Sequence, residues 1–350
     1  MPAATVNGLT VSSGLAELTT VPIVGAPLAG GPSTAALAAA VSEAGGLGFL
    51  AAGYKSALAV ESQLAELRAL TSRPFGLNLF YPVRGTVDES AIAGYAERMR
   101  TEGKRYGVAP GEPRWTDDDW RAKLELAARE RPDVLSFAFG CPDRETVEWL
   151  RECGCRVWCT VTSAAEAAHA AAATVDALVV QGAEAGGHQS SFHDGDEQPR
   201  PLLALLAEVR GATDLPLIAT GGIAGAADVD AALTEGAIAA QVGTALLLTT
   251  EAGTSEPHRQ ALRSAGETRL TRAFTGRRAR GIVNRFMLEH DPFAPRGYPQ
   301  IHAVTAPIRA AARRLGDAGG INLWAGTAYQ RAEDGSASEL VERWGHALRG

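Results

Sequence analysis

Short apolar runs recur along the chain, and between them leucine, valine and alanine return at helical spacing, so strands and amphipathic helices are expected to alternate. Residues 22–28 read as a first strand, and Ser33 as the cap of an alanine-rich helix running to about Ala44. Gly45 and Gly46 stop that helix before a second strand at 47–52, a helix from Ser56 to Leu70 and a third strand at 74–80. After a gap the rhythm resumes with a helix near 117–130, a strand at 134–140, a helix near 144–153 and a fifth strand at 157–161. Ser163 then caps a helix to about Ala173, and 177–181 forms a sixth strand before a helix at 201–210. Strands at 217–220 and 238–247, separated by a helix near 226–234, complete the pattern.

That alternation predicts an α/β fold, a (β/α)8 TIM barrel, rather than a doubly wound sheet. The glycines of Gly45-Gly46-Leu47-Gly48 precede a strand, the wrong context for a dinucleotide fingerprint. Between 81 and 115 the alternation lapses into a polar stretch punctuated by Pro82, Gly85, Gly103, Gly107, Pro110 and Pro113, with one helical pattern near 90–101. From about Pro257 onward the pattern is mostly helical. The expected division is a barrel over 15–81 and 116–250, and a cap over its mouth from 82–115 and 251–350.

With 350 residues, 46 % apolar and 21 % charged, the chain can bury a large core. A net charge of −7 argues against a nucleic-acid surface. The basic cluster Arg277-Arg278-Ala279-Arg280 reads as a solvated or ion-paired loop, with anion or substrate contact as the alternative. Neither a leader nor a membrane-length apolar run is recognisable, which leads us to expect a cytoplasmic protein that does not engage a membrane. Cys141, Cys153, Cys155 and Cys159 lack the paired spacing of a metal site and are expected to be reduced thiols, with no metal bound.

In a barrel of this kind chemistry sits where strands end. Ala26 and Pro27, Asn78, Gly140 and Cys141, Thr160, Gln181, Gly221 and Gly222, and Gly243 and Thr244 fall there. This nearly uncharged set suits a flat, partly apolar ligand held by amides and backbone groups. The turns after the seventh and eighth strands are expected to bind a phosphate. After the sixth strand, Gly182, Gly186 and Gly187 give the backbone freedom to present His188 as an acid or base. His193 adds no recognisable metal set; Glu184 is expected to tie the loop to nearby amides or an arginine, and Cys141 to be an inert thiol. Serine hydrolase, Walker A and zincin signatures are absent from the sequence.

The blocks at 22–34, 44–50, 74–80 and 181–188, with Ala219-Thr220-Gly221-Gly222-Ile223 and Gln241-Val242-Gly243-Thr244, make the chain resemble the nitronate monooxygenases. The resemblance implies FMN as cofactor, with Asn78 and Gln181 at the ring system or ribityl chain and Ala26 and Pro27 lining the flavin site. It places Gly186, Gly187, Gly221, Gly222, Gln241, Val242, Gly243 and Thr244 around the remainder of the cofactor and its phosphate. His188 would be the catalytic residue, as base or as electrostatic partner of the substrate. The implied reaction oxidises alkyl nitronates, and by extension nitroalkanes, with O2 to carbonyl compounds and nitrite. The implied partners are therefore a small molecule and O2, with a homodimer allowed. The sequence departs from the family pattern at Leu28, where methionine is expected, and at Thr327, where glutamine is. The alternative is an FMN-dependent NAD(P)H reductase of a quinone or enoyl thioester, since related barrels share the glycine-histidine loop.

Overall fold

The computed structural model describes residues 15–195 and 198–349, together with a short pairing of Thr5–Val6 with Leu9–Thr10. Eight parallel strands form the barrel: β1 (Ile23–Gly25), β2 (Gly48–Ala51), β3 (Phe75–Phe80), β4 (Val134–Ala138), β5 (Arg156–Val161), β6 (Ala177–Gln181), β7 (Leu217–Thr220) and β8 (Ala239–Val242). Neighbours pair in sequence order from β2 to β8, β8 pairs with β1, and a parallel bridge between Val24 and Leu47 closes the ring. The expected (β/α)8 barrel is therefore the observed fold.

Period-2 alternation sorts the strand residues. In β6, Leu178 and Val180 join the cluster beneath the outer helices, whereas Ala177 and Val179 join a barrel-interior cluster with Phe49, Val134, Trp158, Ile218 and Ala239. Leu15 and Leu18 belong to that interior cluster too. Carrying the inward parity to the strand ends reaches Asn78, Ser136, Thr160, Gln181, Thr220 and Gln241, all buried. One end of the barrel interior is thus apolar and the other polar, and the polar end carries the site.

The helices between the strands have local causes. Ser56 and Ser163 accept hydrogen bonds from Ala59 N and Glu166 N and start α2 (Ala57–Leu70) and α6 (Ala164–Ala172). At α1 (Ala35–Glu43) the cap is Thr34, one residue later than expected; Ser33 Oγ instead accepts from Leu28 N at 2.7 Å and shapes the loop after β1. The eighth strand ends at Val242 rather than near 247, because the chain turns at Gly243 into a 3-10 turn at Thr244–Leu246. An apolar run alone does not distinguish the two.

The 81–115 stretch contains α3 (Glu89–Arg105), longer than expected. Its Ile92, Tyr95 and Met99 share a second core with Phe274, Phe286 and with Ile301, Val304 and Ile308 of α11 (Gln300–Arg314). The C-terminal stretch is less purely helical than expected. Strands β9 (Thr268–Thr271) and β10 (Ala279–Ile282) pair antiparallel, and β10 also pairs with Gly187–His188. This small sheet crosses from the C-terminal segment to the loop after β6. Among the described residues no helix is long and apolar enough to cross a membrane.

Candidate active site

A cleft of about 360 Å³ opens at the polar end of the barrel. It brings together Ala26, Pro27, Asn78, Gln181, Gly186, Gly187, His188, Gly221, Gly222, Gln241, Gly243 and Thr244. Among the residues singled out from sequence, Gly140 and Cys141 at the end of β4 do not line the cleft, and neither does Val242. Its side chain is buried in the outer core, and only its carbonyl reaches toward the cleft, accepting from Ala26 N at 2.8 Å. Its position one residue before Gly243 puts it on the outward parity.

Two strand-end amides face the cleft with hydrogen-bonding capacity to spare. Asn78 donates from Nδ2 to Ser136 Oγ at 2.9 Å, and its Oδ1 has no protein partner among the described residues. Gln241, although buried, has no hydrogen bond to its side chain among the described residues. Gln181 differs. Its Nε2 donates to His188 O at 3.1 Å and its Oε1 accepts from Ser190 N at 2.7 Å, so it shapes the histidine loop from within.

That loop is clamped from several sides. Glu184 accepts from Leu202 N at 3.1 Å, at the start of α7 (Leu202–Arg210), and so ties the loop to an amide as the sequence suggested. Arg280 donates to Ala183 O at 2.8 Å. Arg277 is buried, lies 4.2 Å from the centre of the Phe139 ring, and donates to the carbonyls of Gln189 and Ser191. The basic cluster is therefore partly interior: Arg277 and Arg280 hold the loop's carbonyls while Arg278 is ion-paired with Asp194 at 3.8 Å, where the sequence suggested a solvated or ion-paired loop. Gly186 permits the close approach of the C-terminal segment, since a Cβ there would lie 2.5 Å from Ala325 C and Gly326 N.

His188 is enclosed by Phe139, Tyr298 and Trp324, with ring centres 5.6 to 5.7 Å away. Its Nε2 lies 2.9 Å from Thr275 Oγ. Thr275 donates its single hydroxyl hydrogen to Arg277 O at 3.1 Å, a buried carbonyl without another donor among the described residues. This network assigns the imidazole proton to Nε2, which donates to Thr275, and leaves Nδ1 as the basic lone pair. Burial, then the charges of Arg277 and Arg309, push the imidazole pKa down to about 3. His188 is thus neutral across the physiological range. Thr275 and Arg309 were not legible as site residues in the sequence, and Arg277 was marked only within a basic cluster for which anion or substrate contact was the alternative.

Among the described residues no Asp or Glu lines the cleft. The turn after β7 has Gly221 and Gly222 at φ +118° and +72°, which fits a close backbone approach. Thr244 Oγ accepts from Gly326 N at 3.0 Å, so its hydroxyl hydrogen can be given to a ligand. Cys141 and Cys159 are unpaired and buried, as is Cys155, while Cys153 is half-buried. Fold and cleft define the class: a (β/α)8 barrel whose strand ends suit a flat organic cofactor with an anionic tail.

Comparison with known proteins narrows this. The nitronate monooxygenase family model matches residues 12–344. A nitronate monooxygenase of Paraburkholderia phytofirmans is 37 % identical over 340 residues, covering 94 % of this chain and 92 % of that protein. Among solved structures, a nitroalkane oxidase of Streptomyces ansochromogenes is 46 % identical with a TM-score of 0.94, covering 96 % of this chain and 98 % of its own. FabK from Thermotoga maritima, at 24 % identity, TM-score 0.74 and coverage of 95 % and 93 %, shares the fold. The chain belongs to the nitronate monooxygenase family of FMN-dependent oxidoreductases.

Proposed function

We propose that the protein oxidises alkyl nitronates with O2 to carbonyl compounds and nitrite, using FMN. The observation that carries this reading is a neutral, half-buried His188, enclosed by aromatic rings, beside a cleft with arginines and, among the described residues, no carboxylate. FMN fits the residues present. The uncommitted amides of Asn78 and Gln241 match a planar ring with donors and acceptors, and the glycine turns at Gly221–Gly222 and Gly243–Thr244 match a phosphate. When bound, the flavin supplies the electron acceptor.

The chain's own residues select and prepare the substrate. A nitronate is already an anion, and the charges of Arg277 and Arg309 that disfavour imidazolium favour it. With a neutral nitroalkane, Nδ1 of His188 would take the α-proton, and the same arginines would stabilise the nitronate left behind. Phe139, Tyr298 and Trp324 enclose the imidazole ring on three sides and hold its orientation. The 82–115 and 251–350 segments act in this reading as a substrate cap, with O2 and the small-molecule substrate as partners.

The decisive test is anaerobic mixing of the purified yellow protein with propionate 3-nitronate and, separately, with NADH or NADPH. The expected result is a change in flavin absorbance with the nitronate, none with the pyridine nucleotides, and nitrite formation once air is admitted. Bleaching by NAD(P)H alone would replace this reading by the reductase.

A further inference from the structure

Behind His188 lies a second, smaller chamber of about 170 Å³, lined by Tyr54, His188, Thr275, His302, Ala306, Arg309, Arg313, Asn322 and Trp324, with Ala29 and Gly30. At about 30 Å³ per water it has room for roughly five waters, too little for a flavin and ample for a small ion. His188, Tyr54, Asn322, Trp324 and Arg313 line both spaces, so the chamber adjoins the cleft directly.

The charge distribution of this chamber is unbalanced. Arg309 is only 7 % exposed, and its hydrogen bonds go to neutral groups: Thr305 Oγ at 3.1 Å, Asn322 Oδ1 at 3.1 Å, His302 Nδ1 at 3.1 Å and His302 O at 3.3 Å. Arg313, one helical turn further along α11, is an exposed residue whose side chain makes no hydrogen bond or ion pair among the described residues, so the buried charge without a counterion is that of Arg309. Among the described residues no Asp or Glu lines the chamber. Two cations at i,i+4 repel each other, and a buried charge without a counterion is costly. Two other buried charges are paired, Lys123 with Asp118 at 2.7 Å and Glu102 with Arg285 at 2.6 Å, whereas buried Arg277, like Arg309, is held by neutral groups. His302 accepts from Arg309 and stacks on Tyr54 at 4.0 Å, so these groups hold the guanidinium in place without neutralising it.

We propose that this chamber is a binding site for a small monovalent oxyanion, held by Arg309 and Arg313. The inference rests on the proposed reaction for the identity of that anion: nitrite and the charged NO2 group of a nitronate share the required chemistry. In this arrangement the substrate's charge is drawn to the side of His188, or nitrite is held there before it leaves.

The test uses the flavin-loaded protein and sodium nitrite, followed by titration calorimetry against sodium chloride at matched ionic strength. This readout needs no turnover, so it stands or falls separately from the proposed reaction. Saturable nitrite binding is expected, weakened tenfold or more in Arg313→Gln and kept in the charge-conserving Arg309→Lys. In steady-state assays, competition between nitrite and a nitronate would place the substrate's NO2 group in the chamber. Binding without competition would assign the chamber to free nitrite. Absence of saturable binding, or binding unchanged in Arg313→Gln, overturns the proposal. Loss of FMN from Arg313→Gln also overturns it, by assigning that arginine to the cofactor phosphate.

Discussion

The reactivity of His188 is set by a residue 87 positions away in sequence. Because the Thr275 hydroxyl serves Arg277 O, the imidazole must present Nδ1 as its base. Thr275→Val removes the acceptor for Nε2–H and the donor for Arg277 O without changing the side chain's shape. Oxidation of a neutral nitroalkane is expected to fall roughly tenfold to a hundredfold, with a smaller loss on the preformed nitronate. Thr275→Ser should restore most of the activity, which separates hydrogen bonding from packing. The pH profile checks the same geometry. Since burial and the two arginines hold His188 near 3, the neutral base persists as pH falls, and the nitroalkane rate should show no imidazole limb between pH 8 and 5. A limb near 6.5 would mean that the histidine is solvated.

At the level of elements, the site depends on β10 borrowing Gly187–His188 as a partner strand and on the C-terminal segment lying against Gly186. Gly186→Ala would drive a Cβ into the backbone of Ala325 and Gly326, neither of which can yield like a side-chain tip. A stability loss of about 1–3 kcal/mol is expected, seen as a lower melting temperature, together with a lower flavin content in the purified protein. Retention of both would show that the segments are not so close. The sequence was clear about the barrel, because eight apolar runs and helical spacings are local signals that agree with one another. It also marked His188 and the strand-end polar residues, since a barrel's chemistry follows strand ends. It was silent on β9 and β10. Thr-Arg-Leu-Thr and Ala-Arg-Gly-Ile are four-residue runs carrying arginines, paired with each other and with a glycine loop, and such non-local pairing leaves no period to read. Thr275 and Arg309 escaped for the same reason, and Arg277 was marked only as part of a basic cluster: their roles come from partners brought close only by folding.

Across the whole molecule, three of the described histidines are held as neutral rings, His258 buried and His188 and His302 half-buried. Burial, helped by neighbouring arginines, pushes His188 down to about 3, His258 to about 4 and His302 to about 2. In the unfolded chain each would titrate near 6.5. Between pH 6.5 and 4.5 the unfolded state therefore binds protons that the folded state does not, and stability must fall as the pH is lowered. Three such groups give a slope of up to about 4 kcal/mol per pH unit at the acid end of that window. Two carboxylates with lowered pKa lie below the window. Glu102 and Glu251 are held below their ordinary range by hydrogen bonds and, for Glu102, by Arg285 and His290, so the stability they add is lost only below pH 4.5. The urea midpoint of the flavin-loaded protein should accordingly drop from pH 7 to pH 5 at constant ionic strength. His258→Gln isolates one of the three. Its Nε2 is buried without a partner, so replacing the ring removes one titrating group that makes no hydrogen bond through that atom. The variant's midpoint should change less with pH than that of the wild type, by the equivalent of one proton. A wild-type midpoint that stays level from pH 7 to pH 5 would mean that the rings are not held neutral by burial, and the electrostatic account of His188 would fall with it.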